Sequence, residues 1–286
     1  MPIPINKMAY MFFKKIKEKI RALNNKRREN RLLRQACRML PQGFLFSGRS
    51  QYFSKLGYEP FQTSLISEVL KEISTFINVG AHHGYYCCLA LSKNINTIAF
   101  EPHPMNAAML EKHISANKFS KDFKLIKAAV GSVEGTLELH GGGFTASLLN
   151  IHPNTPSEER QTVSVVKLES MLELGDSTTL ILMDVEGYEL EALKGSIQLM
   201  RSKPYWIIEV LSNHGNDTPF SEVFSFMESH NYEAWAIDEE KKHIAKFPSS
   251  LAKSIEVESR HIAYSNFLFV PQGNDLIQRL QVRKAV

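Results

Sequence analysis

Two short stretches of the chain combine residue types that could hold a ribose-bearing ligand. In Asn78-Val79-Gly80-Ala81-His82-His83-Gly84-Tyr85, two glycines four apart follow a β-rich run and precede a helical pattern. Glycine lacks the Cβ that would keep a ligand away from the backbone, and free N–H groups at a helix start attract a carboxylate or phosphate. Such a turn also occurs as plain strand–helix packing, so a second feature is needed. About 20 residues on, Glu101 ends the next β-rich run in Ala99-Phe100-Glu101-Pro102-His103-Pro104. An acid at that place can accept hydrogen bonds from both ribose hydroxyls. Together the two features point to an adenosine cofactor. The loop lacks the Gly-x-Gly-x-x-Gly spacing that seats a pyrophosphate, so a cofactor carrying a carboxylate fits better than a nicotinamide dinucleotide.

A second set of residues could move a proton. Asp184 ends an apolar run, where a carboxylate is expensive to bury unless it is paired or working. Glu186 precedes Gly187 at the opening of a helix, and complementing the helix dipole is its structural alternative. Glu189 suits the helix's first turn. Glu209 stands near the end of the run that begins Trp206-Ile207-Ile208, and His214 follows in a loop. The unperturbed pKa of histidine makes His214 a candidate general base, although a lone loop histidine is more often structural. Asp184, Glu186 and His214 are therefore the catalytic candidates, with Glu209 and His214 on the acceptor side. Asp184 and Glu209 are also the candidates to hold a divalent cation such as Mg2+, and residue types alone do not separate base from metal. Thr145 and Ser147, after the glycine run 141–143, would form a flexible wall over the acceptor.

These residues require a sheet that brings strand ends together. From residue 60 onward β-rich runs alternate with helical patterns, which predicts an α/β fold with a mostly parallel sheet and an antiparallel edge strand. The spacing predicts strands over 75–79, 96–100, 123–130, 180–185 and 205–211, and helices over 104–117, from Tyr188, and near 220–230. The runs 136–140 and 162–166 predict a hairpin inserted between the third and fourth core strands. Strands are also expected near 233–237 and 262–270. Between Lys7 and Leu40 there is no Pro or Gly, and Phe12, Ile16, Ile20 and Leu23, then Leu32, Leu33, Ala36 and Leu40, recur at helical spacing,. The pattern predicts two helices or one bent helix, ended by Pro41 and Gly43.

Charge divides the chain unevenly. Residues 1–50 hold 13 Lys and Arg against 2 Glu, leaving 21 Lys and Arg against 28 acids in the rest. An acidic body argues against a nucleic-acid groove, so any anionic partner would meet the basic extension. The organisation expected is a basic amphipathic extension over 1–45 and a catalytic domain over 46–286. The extension would dock on an anionic membrane surface, on its own domain or on a second copy in a homodimer. Apolar runs fall short of a membrane span, and no secretory leader is read at the N-terminus, so a cytoplasmic location is expected, with attachment at the inner membrane face as the extension's option. Cys37, Cys87 and Cys88 fit neither a disulfide framework nor zinc spacing.

Over roughly residues 57–211 the sequence resembles the FkbM family of S-adenosylmethionine-dependent methyltransferases. The blocks Phe76 to Tyr85, Ala99 to Pro104, Ala128-Ala129-Val130-Gly131, Met183-Asp184-Val185-Glu186-Gly187-Tyr188-Glu189 with Leu193-Lys194-Gly195, and Ile208-Glu209-Val210 stand in the family's order. The resemblance implies a class I, Rossmann-like methyltransferase domain. It implies that Gly80, Ala81 and Gly84 line the methionine part of the cofactor, that Glu101 holds the ribose, and that Ala128 and Ala129 border the adenine. Asn78, Tyr85, Pro102 and Asp184 belong to the same blocks and join the cofactor candidates, as does Glu59 in Gly57-Tyr58-Glu59-Pro60. Two departures stand out, since the family usually has Asp at Asn78 and Asn at His82 or His83. Family members methylate hydroxyls of sugars and secondary metabolites, so the resemblance implies O-methylation of a carbohydrate or another small molecule. A cofactor-binding scaffold without catalysis, or N-methylation of an amine, are the alternatives.

Overall fold

The computed structural model describes residues 30–140, 148, 160–172, 178–210, 220–257 and 265–284, with isolated positions 20, 24 and 27. Residues 30–34 are helical (α1). The helix stops there instead of running to Leu40 as its apolar spacing predicts. Lys112 Nζ donates to Leu32 O at 3.1 Å and to Gln35 O at 2.6 Å, so a cation closes the carbonyl end of α1,. The chain then turns back in a small antiparallel hairpin, β1 (Arg38–Met39) and β2 (Leu45–Phe46). Leu40 and Phe44 are buried there, and Phe44 packs edge-on to Tyr85 with ring centroids 5.5 Å apart.

Next come α2 (Pro60–Val69), β3 (Thr75–Val79), α3 (Tyr85–Ser92), β4 (Asn96–Phe100), α4 (Pro104–Ala116) and β5 (Phe123–Ile126). Proline opens α2 and α4, where its fixed φ suits the first helical turn and its missing N–H is no loss,. The strand predicted over 123–130 is two strands. Pairing with β4 ends at Ile126, and Ala129–Val130 (β6) leaves for a three-stranded sheet with β7 (Gly135–His140) and β8 (Arg160–Val166). This small sheet contains the predicted hairpin, and the break turns Ala128 and Ala129 towards the end of the main sheet.

The remaining elements are α5 (Leu168–Met171), β9 (Thr179–Met183), α6 (Glu189–Lys194), β10 (Tyr205–Glu209), α7 (Phe220–Ser229), β11 (Tyr232–Asp238), β12 (His243–Lys246), α8 (Ser249–Val257), β13 (Asn266–Pro271) and α9 (Leu276–Lys284). The main sheet has the order β12-β11-β13-β10-β9-β3-β4-β5. Strands β3, β4, β5, β9 and β10 are parallel; β13 runs antiparallel between β10 and β11, and β12 is an antiparallel edge.

Alternate residues of the central strands feed two cores. Ile77, Val79, Ile181, Met183, Trp206 and Ile208 pack on one face with α6 and α7. Phe76, Leu180, Leu182, Tyr205 and Ile207 pack on the other with α2, α3 and α9. Burial on both faces explains why these strands read as continuous apolar runs. Among the described residues no helix is long and apolar enough to cross a membrane.

Candidate functional site

The register of the sheet assembles the site. Val79 pairs with Phe100 and with Met183, and Met183 pairs with Ile208. One residue further on, Gly80, Glu101, Asp184 and Glu209 therefore stand side by side at the carboxyl ends of four strands, at spacings of about 4.8 Å. Open α/β sheets bind ligands at this edge, where β3 and β9 lie next to each other and the chain winds outward in both directions. A cavity of about 310 Å³ opens over it, and all four residues line it.

Gly80 is glycine for a local reason. Its φ is +80°, and a Cβ there would lie 1.8 Å from the Asp184 carbonyl oxygen. The amides of Gly80 and Ala81 both donate to Phe100 O, at 2.9 and 3.0 Å, which bends the chain across the end of β4. Gly84 has φ +81° and caps α3, but it does not line the cavity; a Cβ there would meet Leu110 Cγ at 2.7 Å. Its place is in strand–helix packing. Asn78 is buried, lines the cavity, and directs its Nδ2 to Cys87 Sγ at 3.5 Å.

Glu101 is buried and already oriented. His82 N–H donates to Oε2 at 2.6 Å, His103 N–H to Oε1 at 2.9 Å and Asn106 Nδ2 to Oε1 at 3.3 Å. Burial pushes its carboxyl up to about 7, with the three donors pulling the other way,. Pro102, Ala128 and Ala129 continue the wall beside it, and Tyr85 lines the cavity from α3.

The catalytic candidates meet at the other end. Among the described residues Asp184 Oδ1 is inaccessible to solvent and has no hydrogen-bond partner. Burial, then the negative charges of Glu209, Glu186 and Glu189, hold the Asp184 carboxyl well above its usual range, and it hydrogen-bonds Glu209. The crowding of acids thus favours the protonated form of Asp184. Glu186, with φ +53°, also lines the cavity, and burial followed by the Glu209 charge pushes it up to about 7. Glu189 instead accepts the Gly187 N–H at 2.9 Å and serves the start of α6. Among the described residues no group of three or more His, Cys, Asp or Glu could hold a metal ion. Asp184 and Glu209, the candidates for a divalent cation such as Mg2+, are therefore not part of such a group among the described residues. Thr145, Ser147 and His214 lie outside the described residues.

Glu59 joins the site from an unexpected direction. It caps α2 in the left-handed region at φ +41°, and its Oε2 accepts from Tyr86 OH at 2.6 Å and Gln62 Nε2 at 3.0 Å. Burial raises its pKa, opposed by the Tyr86 and Tyr58 hydroxyls. The first amides of α2 are held by another acid, Glu239, whose two oxygens accept from Phe61 N at 2.8 Å and Gln62 N at 2.9 Å,. Sequence reasoning missed Tyr52, Tyr58, Gln62, Tyr86, Asn106 and Asn266, which all line the cavity. For Asn106 a signal existed: Pro104 marks the helix start, which puts Asn106 in the first turn, facing back to Glu101.

The strand order, with its reversed β13, defines a class I methyltransferase sheet. The methyltransferase FkbM domain matches residues 78–234, and the chain belongs to that family. It is similar to the hexuronic acid methyltransferase AglP of Haloferax volcanii, with 24% identity over 148 residues, covering 51% of this chain and 59% of that protein. The chain thus spans little more than half the length of that relative. A precorrin-6y C5,15-methyltransferase from Geobacter metallireducens overlays at a TM-score of 0.41 with 12% identity, covering 82% of this chain and 98% of that one. The Pyrococcus abyssi tRNA (uracil-54, C5)-methyltransferase in complex with S-adenosyl-L-homocysteine overlays at 0.40 with 10% identity, covering 82% and 43%.

Proposed function

We propose that the protein is an S-adenosylmethionine-dependent O-methyltransferase acting on a carbohydrate hydroxyl, with residues 46–286 as the catalytic unit. The observation that carries this reading is the pre-oriented Glu101 carboxylate beside the Gly80 turn, over one cavity in a chain of this family. Glu101 suits a ribose diol, the Gly80–Ala81 turn lets a methionine tail approach the backbone, and Ala128 and Ala129 leave room for a flat base. The carbohydrate acceptor is carried over from the similar hexuronic acid methyltransferase.

When bound, the cofactor supplies an electrophilic methyl on a sulfonium. In the transfer a C–O bond forms as the S–C bond breaks, and the hydroxyl proton must leave. The protein's part is to align the oxygen in line with the methyl, which supplies several kcal/mol, and to receive that proton. The acids Glu186 and Glu209, with Asp184 behind them, are placed to take it.

Calorimetric titration with S-adenosylmethionine, S-adenosylhomocysteine and NAD tests the reading. Binding of the first two, no binding of NAD, and a loss of about 10-fold or more in Glu101→Ala are expected, for removal of a buried charged acceptor. Binding of neither adenosyl ligand would refute it.

A further inference from the structure

The cavity carries an unusual balance of charge. Glu59, Glu101, Asp184, Glu186 and Glu209 all line it. Among the described residues no lysine or arginine lines it. The exposed Arg49 acts on Tyr52, His82 and His83, whereas the charges that act most on Asp184 are those of Glu209, Glu186 and Glu189. Residues 149–159 and 211–219, which lie outside the described residues, contain no Lys or Arg. The connection 258–264 contains Arg260.

S-adenosylmethionine brings a net charge of about +1 at neutral pH, a sulfonium and an ammonium against one carboxylate. With Asp184 held towards its protonated form, that charge still leaves Glu59, Glu186 and Glu209 lining a cavity to which, among the described residues, no Lys or Arg contributes. Among the described residues Asp184 Oδ1 has no hydrogen-bond partner, which leaves it for a donor on the ligand. A carboxylate or phosphate on the reacting sugar would face this surface without a cation to meet it, and like charges brought together in a desolvated site are strongly disfavoured. A hydroxyl-rich or ammonium-bearing ring, in contrast, brings hydrogen-bond donors to these carboxyl groups.

Resting on the function proposed above, we infer that the acceptor residue is a neutral or amino sugar. The carboxylates of Glu59, Asp184, Glu186 and Glu209 exclude uronates and sugar phosphates. The similar Haloferax volcanii enzyme is named for a hexuronic acid, so on this inference the two proteins differ in the charge of the sugar they take.

The test uses the full chain with S-adenosylmethionine labelled in the methyl group. Acceptors are matched methyl glycosides of hexoses, 2-amino-hexoses and hexuronic acids, and a glycan extract from the cells that make the protein. Labelled products are hydrolysed and the methylated residue is separated by charge. Label on neutral or amino residues, favoured over uronate by at least about 10-fold, is expected. Glu186→Gln and, independently, Glu59→Gln should raise the uronate's relative rate, while Arg260→Ala should leave the preference unchanged. Label mainly on uronate, or a preference that collapses in Arg260→Ala, overturns the inference. No label in any fraction while the cofactor still binds in calorimetry also overturns it. Failure of the cofactor to bind instead brings down the methyltransferase reading itself.

Discussion

Glu101 shows how a buried acid can be kept ready for a ligand. Its oxygens are steered by the His82 and His103 amides and by Asn106, yet burial still pushes its carboxyl up to about 7. Below about pH 7 the free protein therefore favours the protonated form. The stability this group contributes is present below its ordinary pKa of 4.5 and is lost as pH rises through about 7,. Ribose hydroxyls donate more strongly, and from both sides, to the charged form. Cofactor affinity should accordingly rise with pH through about 7 and level off above it, with proton uptake by the buffer measurable by calorimetry in buffers of different ionisation heat. A pH-independent affinity between 6 and 8 would remove Glu101 from this role. Gly80 sits on the other side of the same ligand, and Gly80→Ala combines a strained φ with a collision at the Asp184 carbonyl. A loss of about 2 kcal/mol or more is expected in denaturant titration, together with loss of cofactor binding.

At the scale of elements, one histidine joins the glycine turn to the N-terminal segment. His113 on α4 donates from Nδ1 to His83 O at 2.8 Å, accepts Ser47 N–H at Nε2 at 3.1 Å, and stacks on Phe46 at 3.9 Å. Those contacts need the neutral ring, and burial lowers its pKa to about 4. Because the folded value lies below the unfolded 6.5, stability is full above pH 6.5 and falls as pH drops towards 4, by about 1.4 kcal/mol per unit,. Unfolding midpoints from pH 7 to 4 should show a smaller fall in His113→Gln than in the wild type; an equal fall would assign the effect to other groups such as His83. The core strands at 75–79 and 96–100 and the row Gly80, Glu101, Asp184 and Glu209 were legible in the sequence, because doubly buried strands leave apolar runs that end in a single polar residue. The hairpin β1–β2 was not, because Lys112, far along the chain, ends α1 where the local pattern continues. The approach of Glu59 to the sheet edge was equally hidden. It depends on Glu239 holding the first amides of α2 from 178 residues away, and no periodicity encodes such a partner.

For the whole molecule, the separation of charge matters most. The first 50 residues carry 13 Lys and Arg against 2 Glu, and the body holds an excess of acids. Part of the body's acidity lines the cavity, whereas the extension's basic residues have no comparable density of acids within their own stretch. Described contacts fix only the extension's end to the body, through Lys112 at the carbonyls of Leu32 and Gln35 and through Asn117, which accepts Leu45 N–H at 2.7 Å and donates to Leu45 O at 2.8 Å. On an anionic lipid surface a basic stretch would be attracted, each Lys or Arg near lipid contributing about 1 kcal/mol, while an acidic body would be repelled. The full chain should therefore sediment with vesicles containing phosphatidylserine at low salt and be released at high salt, and removal of residues 1–29 should abolish the binding while cofactor titration is unchanged. Retention of vesicle binding after the removal would place the lipid contact on the body, against its charge. Absence of binding in the full chain would leave the basic stripe to a protein surface, and sedimentation equilibrium would then read whether that surface is a second copy.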